Sequence, residues 1–228
     1  MVAETAPTPA PKRARASQDQ ALANKINQYR TSLTSAQGNA ELVTLLQPRG
    51  YDGEALAAGL SLCDAAQAAF NARQDAQAAQ KQAAKAAGAA DEAARAGFND
   101  FRKIARAVFK DNASAQGNLG VTGRVPDDQE KFLTLASAVY TSALSHSTYM
   151  TALARRGYDQ AAIEAEQARL DAVTQTNSAH ETAKAAAVRA TSDRDAAAKA
   201  LDDWWAEFRA VAQVALKDRP DFLGLLGL

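Results

Sequence analysis

Two long stretches of the sequence, 53–111 and 160–218, are equal in length and contain no proline. They contain 22 and 19 of the 57 alanines in the chain. Proline breaks a helix because it lacks a backbone donor and clashes with the preceding turn, whereas alanine has the highest helix propensity. Both stretches are therefore predicted to be helical, and the predicted fold class is all-α.

The two stretches belong to an internal repeat. The tetrapeptide Arg-Gly-Tyr-Asp occurs at 49–52 and again at 156–159, and the residues that follow align without a gap. Over positions 49–121 the copies share 24 identities in 73 positions, of which 12 are alanine. Because the other 12 matches fall in ordered clusters, we interpret the chain as a tandem duplication. Each copy is predicted to be a hairpin of a short and a long helix, and together the copies form an elongated antiparallel helical bundle.

The domain boundaries follow from the repeat. Residues 18–121 are predicted to be the first repeat and residues 122–228 the second, with the two packing as one bundle. Residues 1–17 hold three of the six prolines and the basic cluster Lys12, Arg13 and Arg15, so a disordered tail is predicted there.

Each copy begins with a helix in which apolar residues are spaced alternately by four and three. In the first copy this seam comprises Leu22, Ile26, Tyr29, Leu33, Ala36, Ala40 and Val43. Such spacing places residues along one side of a helix, as in coiled coils. The repeated Arg-Gly-Tyr-Asp then predicts a tight turn, in which Gly50 and Gly157 end the first helices and Asp52 and Asp159 cap the long ones.

The long stretches have two interpretations. Their apolar stripe changes phase near residues 71–75, and Gly88 is a second place where a helix could end. A chain reversal needs loop residues, and neither place has a proline or a loop-like sequence. We therefore favour one long helix in each copy.

A leucine-containing segment follows each long helix. Residues 112–127 are predicted to be an internal linker, and the C-terminal PDFLGLLGL is the counterpart of its first part. We expect these leucines to fold back as a hydrophobic plug. A docking tail for a partner is the alternative for Leu223–Leu228.

The balance of charge limits the classes of partner. Lys and Arg number 26, as do Asp and Glu, so the chain lacks the positive surplus that neutralises phosphates, and we expect no nucleic-acid partner. The sequence contains no run of about 18 apolar residues, so no membrane span is predicted. Met1–Gln20 lacks the apolar segment of a secretory signal, so a cytoplasmic location is expected.

The sequence contains no motif that indicates catalysis. His146 and His180 are the two histidines, and no metal-ligand spacing, phosphate-binding glycine loop or GxSxG motif is found. Cys63 lies on the apolar stripe between Leu56 and Phe70, which favours a buried structural thiol. The protein is therefore predicted not to be an enzyme, with no catalytic, cofactor-binding or metal-binding residues.

Trp204 has two interpretations, as a packed residue or as an exposed binding residue. In the repeat alignment it corresponds to Gly97, while Trp205 corresponds to Phe98. We hypothesise that Gly97 makes room for Trp204 if the copies pack about a pseudo-two-fold axis. An exposed Trp204 would instead be a candidate binding residue, because aromatic residues are enriched at binding hot spots.

Two pairs of basic residues recur near the ends of the long stretches. Lys110 and Lys217 are expected to stabilise the negative end of a helix dipole. Arg102 and Arg209 follow apolar seam residues and are expected to be solvated at the edge of the core.

These observations favour a non-enzymatic structural or protein-interaction bundle with protein partners that the sequence does not identify. One alternative is an amphipathic protein that coats membranes or granules, although an apolar face made of alanine argues against strong insertion. A bundle that carries a ligand or cofactor is a further alternative.

Overall fold

The computed structural model describes the backbone of residues 12–228 and the side chains of residues 19–228. This part of the chain is helical and contains no β-strand. Its eight α-helices are α1 (Lys12–Gln37), α2 (Ala40–Leu46), α3 (Gly53–Val108), α4 (Ala113–Asn118), α5 (Gln129–Ser145), α6 (Ser147–Ala154), α7 (Gln160–Ala215) and α8 (Pro220–Leu226). The predicted all-α class is confirmed.

Helices α3 and α7 are each 56 residues long and uninterrupted. The prediction of one long helix in each copy is confirmed, although each helix ends three residues earlier than the proline-free stretch. Gly88 lies exposed within α3. At the phase change near residues 71–75 the helix continues, and the buried residue there is Arg73.

The chain divides into two compact units, and each unit contains part of both long helices. The first unit comprises the described residues up to Ala76 together with Ala187–Leu228, and the second comprises Gln77–Ala186. The predicted repeats, residues 18–121 and 122–228, therefore each contribute to both units.

The core of the first unit is rich in aromatic residues. Tyr51, which precedes α3, lies edge-on to Phe208 of α7 with ring centroids 5.2 Å apart, and Tyr29 of α1 stacks on Trp205 at 4.1 Å. Because the start of α3 lies beside the last turns of α7, the two helices run in opposite directions in this unit. The fully buried residues of this core include Ile26, Leu33, Leu42, Leu46, Leu56, Cys63, Leu201, Phe208, Ala212, Leu216 and Leu226.

The second unit is built in the same way from the other halves of the long helices. Phe101 of α3 lies edge-on to Tyr140 of α5 and to Tyr158, each at 5.2 Å. Tyr158 precedes α7, so here the end of α3 lies beside the start of α7. The fully buried residues include Phe98, Phe101, Ala105, Leu119, Val121, Phe132, Tyr140, Leu153, Ile163 and Val173.

The predicted seam of the first helix is wrong at its C-terminal end. Gly38 ends α1, and the side-chain oxygen of Asn39 accepts a hydrogen bond from the amide of Leu42 at 3.1 Å, which starts α2 in a new phase. Ala40 is therefore exposed, whereas Leu42 and Leu46 are fully buried. The helical segment aligned with α1 and α2 also divides, at His146 between α5 and α6.

The turn predicted from Arg-Gly-Tyr-Asp is confirmed in both copies. Gly50 and Gly157 both adopt a φ of 87°, a left-handed conformation that glycine adopts without steric cost. Asp52 Oδ1 accepts a hydrogen bond from the amide of Ala55 at 2.9 Å, and Asp159 Oδ1 accepts one from Ala162 at 2.8 Å. Each aspartate therefore caps a long helix.

The predicted N-terminal tail and the predicted linker differ in part from the structure. Residues 1–11 of the predicted tail lie outside the described residues, whereas residues 12–17 belong to α1. The linker contains α4. The expected plug is confirmed in part, because Leu119, Val121 and Leu226 are fully buried whereas Leu225 is 45% exposed.

Candidate functional site

The described residues contain no group of three or more His, Cys, Asp or Glu side chains that could hold a metal ion. His146 is exposed, with Nδ1 2.8 Å from the carbonyl oxygen of Ser142, and His180 is half-buried on α7. Cys63 is fully buried, as predicted, and its burial raises the pKa of its thiol.

Arg102 is the most deeply buried basic side chain among the described residues of the second unit. It is 5% exposed, and its Nη2 donates to the carbonyl oxygens of Val121, Thr122 and Gly123 at 3.2, 3.3 and 2.8 Å. Arg106 also donates to the Val121 carbonyl. The expectation that Arg102 is solvated is wrong, because the segment that follows α4 covers it.

This covering segment, Val121–Asp127, is called the strap below. Arg95 holds its other end by donating to the carbonyl oxygens of Pro126 and Asp127 at 2.8 and 3.1 Å. Three arginines on α3 thus bind main-chain carbonyls along a segment that has no regular secondary structure. Charge-assisted hydrogen bonds of this kind are stronger than neutral ones.

We expect Arg102→Ala to destabilise the protein by about 1–3 kcal/mol, because it removes charge-assisted hydrogen bonds and leaves the buried Val121 carbonyl with one donor fewer. Urea unfolding measures the effect, and hydrogen exchange should show faster exchange in the strap. Arg209→Ala is the matched control and should change stability by no more than about 0.5 kcal/mol, since Arg209 is exposed. Equal effects of the two substitutions would contradict this account.

Arg209 and the two lysines lie where the sequence predicted, at the surface. Arg209 is exposed on α7, and none of the described residues accepts a hydrogen bond from its side chain. Lys110 and Lys217 follow the ends of α3 and α7 and lie 3.8 and 3.9 Å from Asp111 and Asp218. These lysine pairs are largely exposed and contribute little to stability.

The hypothesis that Gly97 makes room for Trp204 is wrong. Trp204 is half-buried against Gly59 of α3, where an added Cβ would lie 2.7 Å from Cζ2 of the indole. Gly97 belongs to the second unit and faces Glu166 and Arg169 of α7, with an added Cβ 2.7 Å from Arg169 Nη1. Because α3 and α7 run in opposite directions, Trp204 meets the beginning of α3 rather than the equivalent residue near its end.

The two close approaches nevertheless involve aligned positions of the sequence. In the alignment of the two copies Gly59 corresponds to Glu166, and Gly97 corresponds to Trp204. In each unit a glycine of α3 therefore faces a large side chain of α7. Trp204 is packed here rather than free, which argues against the alternative of an exposed binding residue.

Tyr140 is a polar group in the core of the second unit. Its ring is fully buried between Phe98 and Phe101, and its hydroxyl has no hydrogen-bond partner among the described residues. Burial raises the pKa of the Tyr140 hydroxyl, and the carboxylate of Glu166 raises it further. Both effects favour the neutral hydroxyl in the folded protein.

We expect Tyr140→Phe to leave stability unchanged or to raise it by about 1 kcal/mol at pH 7, because a buried polar group without a partner carries a desolvation cost. Since the pKa is higher in the folded state, the tyrosine favours unfolding once the pH rises above 10, its ordinary pKa. Urea unfolding at pH 7 and pH 11 should therefore show a larger benefit of Tyr140→Phe at pH 11. A loss of stability at pH 7 would show that the hydroxyl has a partner.

Arg73 and Arg194 share one carboxylate in the first unit. Arg73 Nη1 donates to both oxygens of Asp19 at 2.8 Å, and Arg194 Nη1 donates to Asp19 Oδ1 at 3.1 Å. Arg194 also pairs with Asp195. No sequence pattern indicates this network beyond the charges themselves. It joins α1, which carries Asp19, to α3 and α7.

An apolar groove lies on the surface of the first unit. It is lined by Ala210, Val211 and Val214 of α7 together with Arg49, which precedes Gly50. Val214 is 56% exposed, and no described residue accepts a hydrogen bond from the guanidinium of Arg49. The equivalent positions in the second unit are Lys103, Ile104, Ala107 and Arg156. The groove is therefore more apolar than its counterpart.

Comparison with protein-family models, curated proteins and solved structures gave no match to the chain. Within the described residues, no helix combines the length and the apolar character required to cross a membrane.

Proposed function

We propose that the protein is a non-enzymatic, cytoplasmic protein-interaction bundle that binds a partner protein through the apolar groove of Ala210, Val211, Val214 and Arg49. The observation that carries the proposal is the exposure of Val214 in this groove. An apolar side chain beside an uncompensated guanidinium suits a partner helix with an apolar residue followed by an acidic one. The apolar residue would fill the groove, and the carboxylate would pair with Arg49.

The proposal includes an origin by tandem duplication of a hairpin of short and long helices, arranged as an antiparallel bundle. It is supported by the equal lengths of α3 and α7, whose first residues, Gly53 and Gln160, and last residues, Val108 and Ala215, occupy equivalent positions in the repeat alignment. The matching turns at Gly50 and Gly157 support it as well. Under duplication, differences between equivalent surfaces mark where one copy has acquired a separate role.

The test compares Val214→Lys with Ala107→Lys, the same introduced residue at equivalent positions of the two copies. Full-length proteins with either substitution are used for affinity capture from the native cell, and both are first checked for unchanged thermal unfolding. We expect Val214→Lys to lose the captured partner and Ala107→Lys to retain it. Equal capture by both variants would contradict a partner site at this groove.

Liposome flotation of the same proteins separates this proposal from a membrane-coating role. We expect the wild-type chain to stay in the soluble fraction with vesicles of neutral and of anionic lipid. Flotation that Val214→Lys abolishes would mean that the groove binds lipid rather than protein.

A further inference from the structure

The core of the first unit is built from residues on both sides of the strap. The first half of the chain, residues 12–120, and the second half, residues 128–228, each contribute to both compact units. In the first unit Tyr29 of the first half stacks on Trp205 of the second half, with ring centroids 4.1 Å apart. This core is therefore incomplete without the second half.

The second unit depends on both halves in the same way. Phe98 and Phe101 of the first half lie edge-on to Tyr140 of the second half, with ring centroids 5.8 and 5.2 Å apart. All three rings are fully buried. Because large buried rings from both halves form each core, either half alone would leave apolar surface of both cores uncovered.

The strap is the one covalent link between the halves. Cys63 is the single cysteine, so no disulfide joins the halves of one chain. The strap has no regular secondary structure, and Thr122, Gly123 and Arg124 are exposed. Its seven residues reach about 25 Å when fully extended, which is the width of two packed helices. In the folded chain its main chain is bound by three arginines of the first half, Arg95, Arg102 and Arg106.

We infer that two copies of this chain exchange halves, so that the first half of each copy packs against the second half of the other. The exchanged dimer keeps the core contacts of the monomer, and exchange of identical elements is for this reason a low-cost route to a dimer. The strap must leave its three arginines to reach the second copy, so these arginines favour the monomer. The exchange does not depend on the apolar groove.

The test uses two full-length variants whose defects lie in different halves. Gly59→Leu introduces a clash with Trp204, and Trp204→Gly removes the indole from the second half. In an exchanged dimer with one chain of each variant, the introduced leucine meets the introduced glycine. The unchanged Gly59 of one chain meets the unchanged Trp204 of the other. Exchange therefore relieves the defect of each chain.

The two variants, tagged to differ in mass, are unfolded together in urea and refolded as a mixture. Native mass spectrometry should show a dimer with one chain of each variant that is about tenfold or more as abundant as either homodimer, because only the mixed dimer relieves the clash. A mixture of Gly59→Leu with Phe101→Ala is the matched control. Both of these substitutions lie in the first half, so exchange restores neither site and no mixed dimer should be favoured.

Two outcomes of these mixtures would overturn the inference. Refolding to monomers alone in the first mixture would show that the halves do not exchange. An equal yield of mixed dimer in both mixtures would show that the chains associate through a surface rather than by exchange.

Arg102→Ala, introduced alone, tests the part played by the strap. Size-exclusion chromatography at several protein concentrations should show that it lowers the dissociation constant of the dimer about tenfold or more, because the monomer loses an anchor that the dimer does not use. Arg209→Ala and Val214→Lys should leave the dissociation constant within about twofold, so failure of the apolar groove and failure of exchange can be told apart. A dissociation constant that Arg102→Ala leaves unchanged, or a dimer that Val214→Lys abolishes, would overturn the inference.

Discussion

Phe208→Ala is expected to destabilise the protein by about 3–5 kcal/mol, the range for removing a fully buried phenylalanine ring. Phe208 has no exposed surface, and its ring lies 5.2 Å from that of Tyr51, 5.3 Å from that of Trp204 and 5.4 Å from that of Trp205. Large rigid rings cannot collapse into the space of a missing neighbour, so a cavity remains. Chemical denaturation of the full chain measures the loss.

Two further substitutions make this result interpretable. Val188→Ala removes an apolar side chain that is 68% exposed and should change stability by no more than about 0.5 kcal/mol. Phe101→Ala removes the equivalent ring of the second unit, which lies 5.2 Å from both Tyr140 and Tyr158, and should cost as much as Phe208→Ala. A loss below about 1 kcal/mol for Phe208→Ala would mean that the first unit lacks the packed aromatic core described above.

The features that the sequence predicted correctly depend on local signals. The absence of proline and the abundance of alanine act along each helix separately, so the continuity of α3 and α7 could be predicted without knowledge of their neighbours. The turns at Gly50 and Gly157 follow from backbone conformation, and the caps at Asp52 and Asp159 from hydrogen bonds that span three residues. These interactions form within one short segment of chain.

The predictions that failed depend on contacts between distant segments. The break at Asn39 starts α2 in a new helical phase, so that Leu42 and Leu46 enter the core. A single helix continued through Ala40 would not place these two leucines there. Arg102 could be recognised as buried only once the strap was known to lie over it. The same holds for the candidate docking site, because exposure of Val214 depends on what the fold leaves uncovered.

The contact between Gly59 and Trp204 predicts a second large loss of stability, and this loss tests the register of α3 against α7. Gly59→Leu should destabilise the protein by about 3 kcal/mol, at the upper end of the cost of overpacking. An added Cβ alone would lie 2.7 Å from Cζ2 of Trp204, and the indole is held edge-on by Tyr51 and stacked on Phe208. Gly88→Leu is the control, since no atom lies within 4 Å of a Cβ added there. It should stabilise the protein by about 0.5–1 kcal/mol through helix propensity.

A double-mutant cycle then tests whether the side chain introduced at position 59 clashes with Trp204. Trp204→Gly removes the indole and introduces the residue found at the aligned position 97. The space it leaves can accept the leucine at position 59. The double variant should therefore be more stable than the sum of the two single effects predicts, by about 1–3 kcal/mol. Additive effects would place Trp204 away from Gly59 and contradict the register. If Trp204→Gly were coupled to Gly97→Leu instead, Trp204 would lie against Gly97, as the sequence alone suggested. Measured free energies of unfolding therefore decide whether Trp204 faces Gly59 or Gly97.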